Sequence, residues 1–450
     1  MTDPRSPRYR PRLFKPVLLA ACTLLAGCAG LPGPTGFEAA VIKKAEGLTT
    51  VAPGTGNDIR SVARNGLLLS PSVREAASKV SASADEVRVQ RAALFPSLSL
   101  SGGGGVGSAR SGNPSAGLTG SQLLFDGGNS QRAVKLADFD LQISYLTFQK
   151  TVDDAILEIL KSYDTVQTKT ELLGVYKRQL KALRELETLI ASRTEGGAVS
   201  TSDLLEARKR VQSAAFLVND TELALGEARD RLTLLSGQAQ GGRVHLSSAS
   251  CKADGETDNL LIAQLELGRG RVALERAETA ALTPRVALKP VLGGEIGINK
   301  LPVGVNLDIQ SDVLQGGALT AKANIARNQL AAADAKLGVV KLEDSVTERG
   351  LLRTLAAGRR KTTMLQQQIS LLAKTRELYR SQYFDLGTRR IAELLDNEEE
   401  YYKRQSELVE LRSELAASRI DCAVRSRVLR RELGLEGNVI YGFPLGGPTI

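Results

Sequence analysis

The sequence has one histidine, His245, no tryptophan, two methionines and 4% aromatic residues among its 450 positions. A lone histidine argues against a histidine-rich metal centre and against a hydrolytic triad. Proline is missing from two long stretches, Asn129–Glu195 and Ala318–Leu386, and the first holds a single glycine, Gly174. Excess charge is small as well. Of the formal +9, the first 27 residues hold five basic groups (Arg5, Arg8, Arg10, Arg12, Lys15) and one acid (Asp3), which leaves +5 on the remainder. So weak a charge on so long a chain implies no nucleic-acid partner.

The proline-free stretches carry helical periodicity. In the first, Leu136, Phe139, Tyr145, Phe148, Val152, Ile156, Ile159, Leu160, Tyr163 and Val166 recur at helical spacing. One helix over Asn129–Glu195 would be roughly 100 Å long at ~1.5 Å per residue. The average globular helix has about three turns. A helix of this length suits a coiled coil, a spoke between compartments or the wall of a tube.

The punctuation around these stretches occurs twice. Pro96 matches Pro284, Gly127-Gly128 matches Gly316-Gly317, Gly197 matches Gly387, and Leu204-Leu205 matches Leu394-Leu395, all at offsets of 188 to 190 residues. Markers of different kinds at one period indicate an internal repeat. The chain therefore reads as one unit of two halves, 58–240 and 260–434.

Residues 1–27 read as a signal peptide: a basic start, the apolar run Pro16–Leu25, then Leu25-Ala26-Gly27-Cys28. These four positions resemble the lipobox of bacterial lipoproteins, which implies lipidation of Cys28. Acyl chains add ~0.8 kcal/mol per buried CH₂, so several give a stable anchor. Ala29 after the cysteine resembles lipoproteins sent to the outer membrane. Residues 28–57, rich in Gly, Pro and Thr, read as a lipidated tether.

Ser70-Pro71 opens a helix expected to reach Leu94. The period then changes. Ser97-Leu98-Ser99-Leu100-Ser101 alternates strictly, and after Gly112-Asn113-Pro114 a second strand leads to Phe125, giving a β-hairpin over about 97–125. A second hairpin is expected at about 285–314, with Val303, Val305, Leu307 and Ile309 alternating with polar residues or glycine. Strands of ~9–11 residues with one apolar face fit either a soluble hairpin or a transmembrane barrel. The sparse aromatic residues give little girdle for the second reading. Four strands per chain cannot close a barrel, so a membrane-spanning sheet requires several chains.

After Gly197, Ser200-Thr201-Ser202-Asp203 has the form of a capping box. It opens a helix expected over 200–236. The second half repeats the plan, with helices at 260–282, 318–386 and 391–433. In each half the two shorter helices together match the long one. Each half is thus a helical hairpin with a β-hairpin at one end and a tight turn at the other. The linker 241–259 and the tail 435–450 fall at mid-height, as a belt.

In order, these features resemble the TolC-like outer-membrane efflux family over about Ile59–Gly434. The residues that carry the likeness are Ser70-Pro71, Leu94-Phe95-Pro96, Leu124-Phe125-Asp126-Gly127-Gly128, Thr320–Ala326, Gly387-Thr388-Arg389 and Leu394-Leu395-Asp396. The lipobox is similar to the lipid-anchored branch used with multidrug pumps, and type I secretion members share the rest. The resemblance implies a mainly α protein with a small transmembrane β part. It implies a homotrimeric α-barrel continued by a shared twelve-strand β-barrel in the outer membrane of a Gram-negative bacterium. It implies no enzymatic activity, no cofactor beyond the lipid on Cys28, and a periplasmic adaptor and an inner-membrane transporter as partners.

The resemblance also implies site residues. Ser202, Asp203, Phe384 and Arg389 correspond to a periplasmic gate, with Arg389–Asp203 as a charge-assisted link. The family commonly has tyrosine where Phe384 stands, so either Tyr383 substitutes or the latch is looser. Glu393 and Asp396, three apart on one helix face, align with pore-lining acids that threefold symmetry would turn into rings. On periodicity alone they read as a solvated face. Leu204-Leu205 and Leu394-Leu395 read as helix core. Gly197, Val199, Gly387 and Thr388 in the turns are the expected adaptor contacts. In an oxidising periplasm Cys251 and Cys422 are expected to pair, and no metal is expected. The competing reading is a lipid-anchored periplasmic coiled-coil spacer with no channel, which leaves the repeated hairpins unexplained.

Overall fold

The computed structural model describes residues 33–103, 115–246, 251, 256–280, 283–295, 303–311 and 317–446. The signal peptide expected at 1–27 and the lipidated Cys28 lie outside the described residues. The protein is mainly helical and forms two compact units. One comprises Met1–Ala40, Ala82–Leu141 and Arg271–Arg327, the other Val41–Ser81, Gln142–Gly270 and Asn328–Ile450.

In chain order the first elements are α1 (Gly36–Ala45), β1 (Thr49–Thr50), α2 (Ile59–Leu69), α3 (Pro71–Ala92), β2 (Ser97–Gly103) and β3 (Ser115–Phe125). Next come α4 (Asn129–Glu195), α5 (Thr201–Ser236), α6 (Asp258–Ala280), β4 (Arg285–Glu295) and β5 (Val303–Gln310). The chain ends with α7 (Ala318–Phe384), α8 (Ile391–Arg425), α9 (Leu429–Glu432), β6 (Asn438–Ile440) and β7 (Phe443–Leu445).

The first unit is built on an antiparallel sheet of order β2-β3-β4-β5. Its register sorts the residues by chemistry. Directly paired positions share a face, and the pairs Leu98↔Gly120, Leu100↔Leu118, Leu118↔Leu292, Leu288↔Leu307 and Val286↔Ile309 make one face apolar. Ser99↔Thr119, Ser97↔Ser121 and Ala287↔Asp308 lie on the opposite face. There Lys289 pairs with Asp308, and the hydroxyls of Ser97, Ser99 and Ser101 donate to carbonyls of β3. Among the described residues several positions of the apolar face are exposed. Leu100 is 80% exposed, Val305 64% and Ile309 63%. β2 and β5 are edge strands within the described residues.

The strand-to-helix turn after β3 is fastened by Asp126, whose carboxylate accepts the amides of Gly128 (3.0 Å) and Ser130 (2.7 Å). This satisfies donors at the start of α4 that have no partner inside the helix. Arg132 then reaches Glu275 at 3.0 Å, and Arg276 donates to Asn129 Oδ1 at 2.7 Å, joining α4 to α6 in this unit.

The second unit is a helical assembly with a small sheet of order β1-β6-β7. Asp58 caps α2 by accepting the amides of Arg60 and Ser61. The buried Asp164 of α4 accepts from Arg243 (3.1 Å), the Val244 amide (3.3 Å) and Ser413 of α8 (2.8 Å). Residues from the 241–259 linker are thereby held on the helices. Cys251 and Cys422 form a disulfide, and both sulfurs sit in a cluster with Leu355, Leu365, Leu408, Leu411 and Leu415. The buried Arg430 is held by Asp153 (2.7 Å) and Gln149, while Gln149 and Tyr145 donate to the Pro444 carbonyl at 2.8 and 3.0 Å.

Three boundaries differ from the sequence expectation. Residues 33–57 are not a bare tether, since α1 forms there and β1 pairs parallel with β6 (Thr49↔Asn438). Gly and Pro mark the turns of this segment, but the buried Val41 and Val51 give it apolar anchors. The last long helix stops at Arg425, not 433, because Arg427 takes a positive φ of 58° and the chain restarts as α9. No glycine or proline stands at that break, so a reading from breakers runs on to Gly434. The segment 435–450, expected as a tail, contributes β6 and β7 to the small sheet.

Candidate functional site at the two helical turns

Two tight turns lie within the second unit, one between α4 and α5 and one between α7 and α8. Each needs a left-handed residue. Gly197 has φ 73° and Gly387 φ 62°, a region that a Cβ disfavours. The turns are closed by backbone bonds: Ala198 N to Arg193 O (2.9 Å) in the first and Thr388 N to Gln382 O (3.0 Å) in the second. Ser200 caps α5 by accepting the Asp203 amide at 3.2 Å. Arg390 stands at the cap position of α8 and provides no side-chain cap bond.

The helices below the turns pack around one apolar cluster. Leu183, Leu186 and Ile190 of α4 meet Ala207 and Ala214 of α5, Tyr383 of α7, and Ile391, Leu394 and Leu395 of α8. Leu394 and Leu395 are 0% exposed and are core, as expected, whereas Leu205 is 58% exposed and is not. Leu204 packs against the cluster from its edge.

The expected gate residues divide into two groups. Arg389 does not reach Asp203 within the chain. Its Nη1 lies 2.7 Å from Glu393 Oε2, its Nε donates to Gln382 Oε1 at 3.1 Å, and its guanidinium stacks 4.0 Å from the Tyr379 ring centre. Glu393, in the first turn of α8, lies only four positions on from Arg389 in the turn before it, so the local pair forms without rearranging the loop, and the cross-hairpin one does not. Phe384 packs edge-on to Tyr383, ring centres 4.8 Å apart. The Tyr383 hydroxyl is buried with no hydrogen-bond partner. Burial raises its pKa, the nearby Arg193 charge opposes that rise, and the Asp203 carboxylate adds to it. The aspartate and the tyrosine thus face each other electrostatically without a direct bond.

A residue that sequence reasoning missed ties the two turns together. Arg193, in the last turn of α4, donates to the carbonyls of Tyr383 (3.4 Å) and Phe384 at the end of α7. It also lies 5.7 and 5.1 Å from their ring centres. A cation here satisfies carbonyls that α7 leaves open and complements its dipole. The only signal in the sequence is a basic residue in a last helical turn, which does not name its acceptors.

The acidic pair is already neutralised in part. Glu393 receives Arg389 and Arg390, and these hydrogen bonds hold its carboxyl below the ordinary value of 4.5. Asp396 meets Arg210 of α5 at 3.0 Å, and Arg210 also engages Glu206 (2.8 Å) and Glu399. Further along α8, Glu398 is fully buried against Arg376 at 2.5 Å, whose guanidinium covers the rings of Tyr401 and Tyr402. Among the described residues no group of three or more His, Cys, Asp or Glu could hold a metal ion, and no helix is long and apolar enough to cross a membrane. The site offers interlocked charges and rings that join two hairpins.

The chain is similar to known proteins. The model of the outer membrane efflux protein family matches residues 63–238. Nodulation protein T of Rhizobium leguminosarum bv. trifolii is 30% identical over 147 residues, 31% of this chain and 32% of that protein. The matched stretches span about a third of the length of such curated relatives. Among solved structures, the outer membrane protein VceC of Vibrio cholerae aligns with a TM-score of 0.73 at 16% identity, over 86% of this chain and 96% of that one. The Campylobacter jejuni CmeC outer membrane channel aligns with a TM-score of 0.71 at 14% identity, over 93% and 95%. At these identities the structures establish the fold.

Proposed function

We propose that this chain, whose residues 63–238 match the model of the outer membrane efflux protein family, is the outer-membrane duct of a tripartite export system. Three copies share a twelve-strand barrel in the outer membrane, and their helices line a conduit through the periplasm. An inner-membrane transporter and a periplasmic adaptor load it. The chain performs no catalysis and is anchored by lipid on Cys28.

The observation that carries this reading is the two-faced sheet. Among the described residues its apolar face is exposed at several positions, and its opposite face holds serines, an asparagine and the Lys289–Asp308 pair. Transmembrane barrels alternate in this way, apolar outward and polar inward. Open edges are not tolerated in lipid, so β2 and β5 must meet the edges of other copies.

The turns form the gate. Ser202, Asp203, Tyr383, Phe384 and Arg389 surround it, and Arg193 holds the two hairpins of one copy together. Gly197, Val199, Gly387 and Thr388 present the turn backbones to the adaptor. Space for a Cβ is open at both glycines, so the backbone there is accessible. Asp396, repeated three times, supplies the cation preference of the constriction. Glu393 contributes less, since two arginines already face it.

Single-particle electron microscopy of detergent-extracted protein, with conductance in planar bilayers, tests the reading. Threefold tubes that conduct are expected. Non-conducting monomers or two-stranded rods would remove the duct and leave a periplasmic spacer. Mass spectrometry of the mature N-terminus tests the anchor separately: an acylated Cys28 is expected, and an unmodified one excludes it.

A further inference from the structure

The second unit holds a cavity of about 470 Å³ whose ten lining residues include four arginines. Arg243 and His245 come from the linker after α5, Arg359 and Thr362 from α7, and Arg412 and Arg419 from α8. Ligand sites commonly occupy ~300–1,000 Å³. One acid lines it, Glu171, and that carboxylate is committed to Arg243 at 2.8 Å. Arg243 is further neutralised by Asp164 at 3.1 Å.

Among the described residues the other three arginines, Arg359, Arg412 and Arg419, are held by no ion pair, although Arg412 lies near enough to Glu171 to help lower its pKa. The sequence gives them none locally. Positions three and four away are Leu355, Ala356, Thr362 and Thr363 for Arg359. For Arg412 and Arg419 they are Leu408, Val409, Leu415, Ala416, Cys422 and Ala423. This departs from the rest of α8 and from the segment after it. Arg404, Arg425, Arg427 and Arg430 each find one or two carboxylates. All three side chains are exposed, so water screens them, but together they leave the cavity with an excess of positive charge that an anion would balance.

The walls are also braced. The linker wall is fastened by the Val244 amide on Asp164 and continues to the Cys251–Cys422 disulfide. Leu415 both lines the cavity and packs in the disulfide's cluster. The arginines therefore stand on a frame fixed by a covalent link, not on a free loop.

We propose that this cavity binds a compact oxyanion of two or more charges, of the phosphate class. Arg412 and Arg419 on α8 and Arg359 on α7 clamp it, and guanidinium forks match phosphate oxygens in pairs. This site does not depend on the duct reading.

Isothermal titration of the full-length purified protein with pyrophosphate at low ionic strength tests the proposal. Saturable binding that weakens with added salt is expected. The double variant Arg412→Gln/Arg419→Gln should lose roughly tenfold or more in affinity. Arg360→Gln/Lys361→Gln, which removes exposed charges next to the cavity but outside its lining, should leave it little changed. Titration with dihexanoyl phosphatidic acid distinguishes the source. Tighter binding than pyrophosphate assigns a lipid phosphate, and equal or weaker binding a free anion. Absence of pyrophosphate binding, or equal losses in the two double variants, overturns the site.

Discussion

Replacing Arg193 by methionine isolates the tie between the two turns. Methionine keeps an unbranched stem and helix propensity but removes the guanidinium. Two contacts to carbonyls at the end of α7 are lost, one of them long at 3.4 Å, along with the stacking on Tyr383 and Phe384. A hydrogen bond from a charged group contributes ~1.5–3 kcal/mol when buried. Arg193 is only half-buried, so the lower end applies. A cation–π contact at such a site adds about 0.5–1 kcal/mol. The tie is therefore worth about 2 kcal/mol, or roughly 30-fold in a local equilibrium. Hydrogen exchange read by mass spectrometry measures this without reference to transport. The amides of Asp385, Leu386 and Thr388 close the turn on the carbonyls of Ser381 and Gln382. Their exchange should accelerate by about that factor, and Arg193→Lys should recover part of it, because a point charge lacks the fork. In the proposed duct the same variant should raise the open probability in planar bilayers. Unchanged exchange at this turn would show that the carbonyls are as well served by water, and the tie would have to be abandoned.

Three further outcomes are expected from other parts of the molecule. Reducing the disulfide, which links residues 171 apart, should lower the thermal midpoint, with a ceiling of ~5 kcal/mol from loop entropy; alkylation of both cysteines without reductant would contradict the pairing. Arg430→Met should destabilise by ~3–5 kcal/mol in urea unfolding, because Asp153 is left buried and charged, and the double change Arg430→Met/Asp153→Leu should recover much of that loss. Because Arg389 and Arg390 depress the Glu393 pKa, their contact is fully present above 4.5 and weakens only as pH falls through the lower folded value; the carboxyl resonance should inflect below 4.5, and Arg389→Gln/Arg390→Gln should return it upward.

What the sequence revealed depended on the range of the physics involved. Helix periodicity and breakers act locally, so α4 ends at Glu195 beside Gly196-Gly197 and α7 ends just before Gly387. Alternation in Ser97–Ser101 and Val303–Gln310 is equally local, and both segments are strands. The pairing of β3 with β4 is different. Leu118 faces Leu292 across 174 positions, with a register shift between Leu123 and Phe125, and no local pattern specifies it. Glu398 shows the same limit for charges: in α8 it reads as one acid among several on a wet face, yet it is fully buried because Arg376 and two tyrosine rings enclose it. The segment 33–57 misled through composition. Its glycines and prolines announce turns, and the few apolar residues that decide its folding, such as Val41 and Val51, are outvoted in any average.

The charges at the turns share one logic. Arg193 spends its fork on carbonyls of another helix, Arg389 and Arg390 converge on Glu393, and Arg210 gathers Glu206, Asp396 and Glu399. Each acid on the first turns of α8 thus serves as counter-ion to a residue that fixes a turn or a neighbouring helix. A carboxylate held by two arginines contributes no negative field of its own, since the cluster is left with a net positive charge. Asp396 differs in degree: its side chain is 63% exposed and its single arginine is shared with two other acids. The group Arg210–Glu206–Asp396–Glu399 carries a net negative charge, whereas Arg389–Arg390–Glu393 carries a net positive one. In a threefold duct the constriction would therefore present alternating bands of positive and negative potential, one turn of helix apart. Discrimination between ions there follows from the balance of arginines against acids, not from the acids alone.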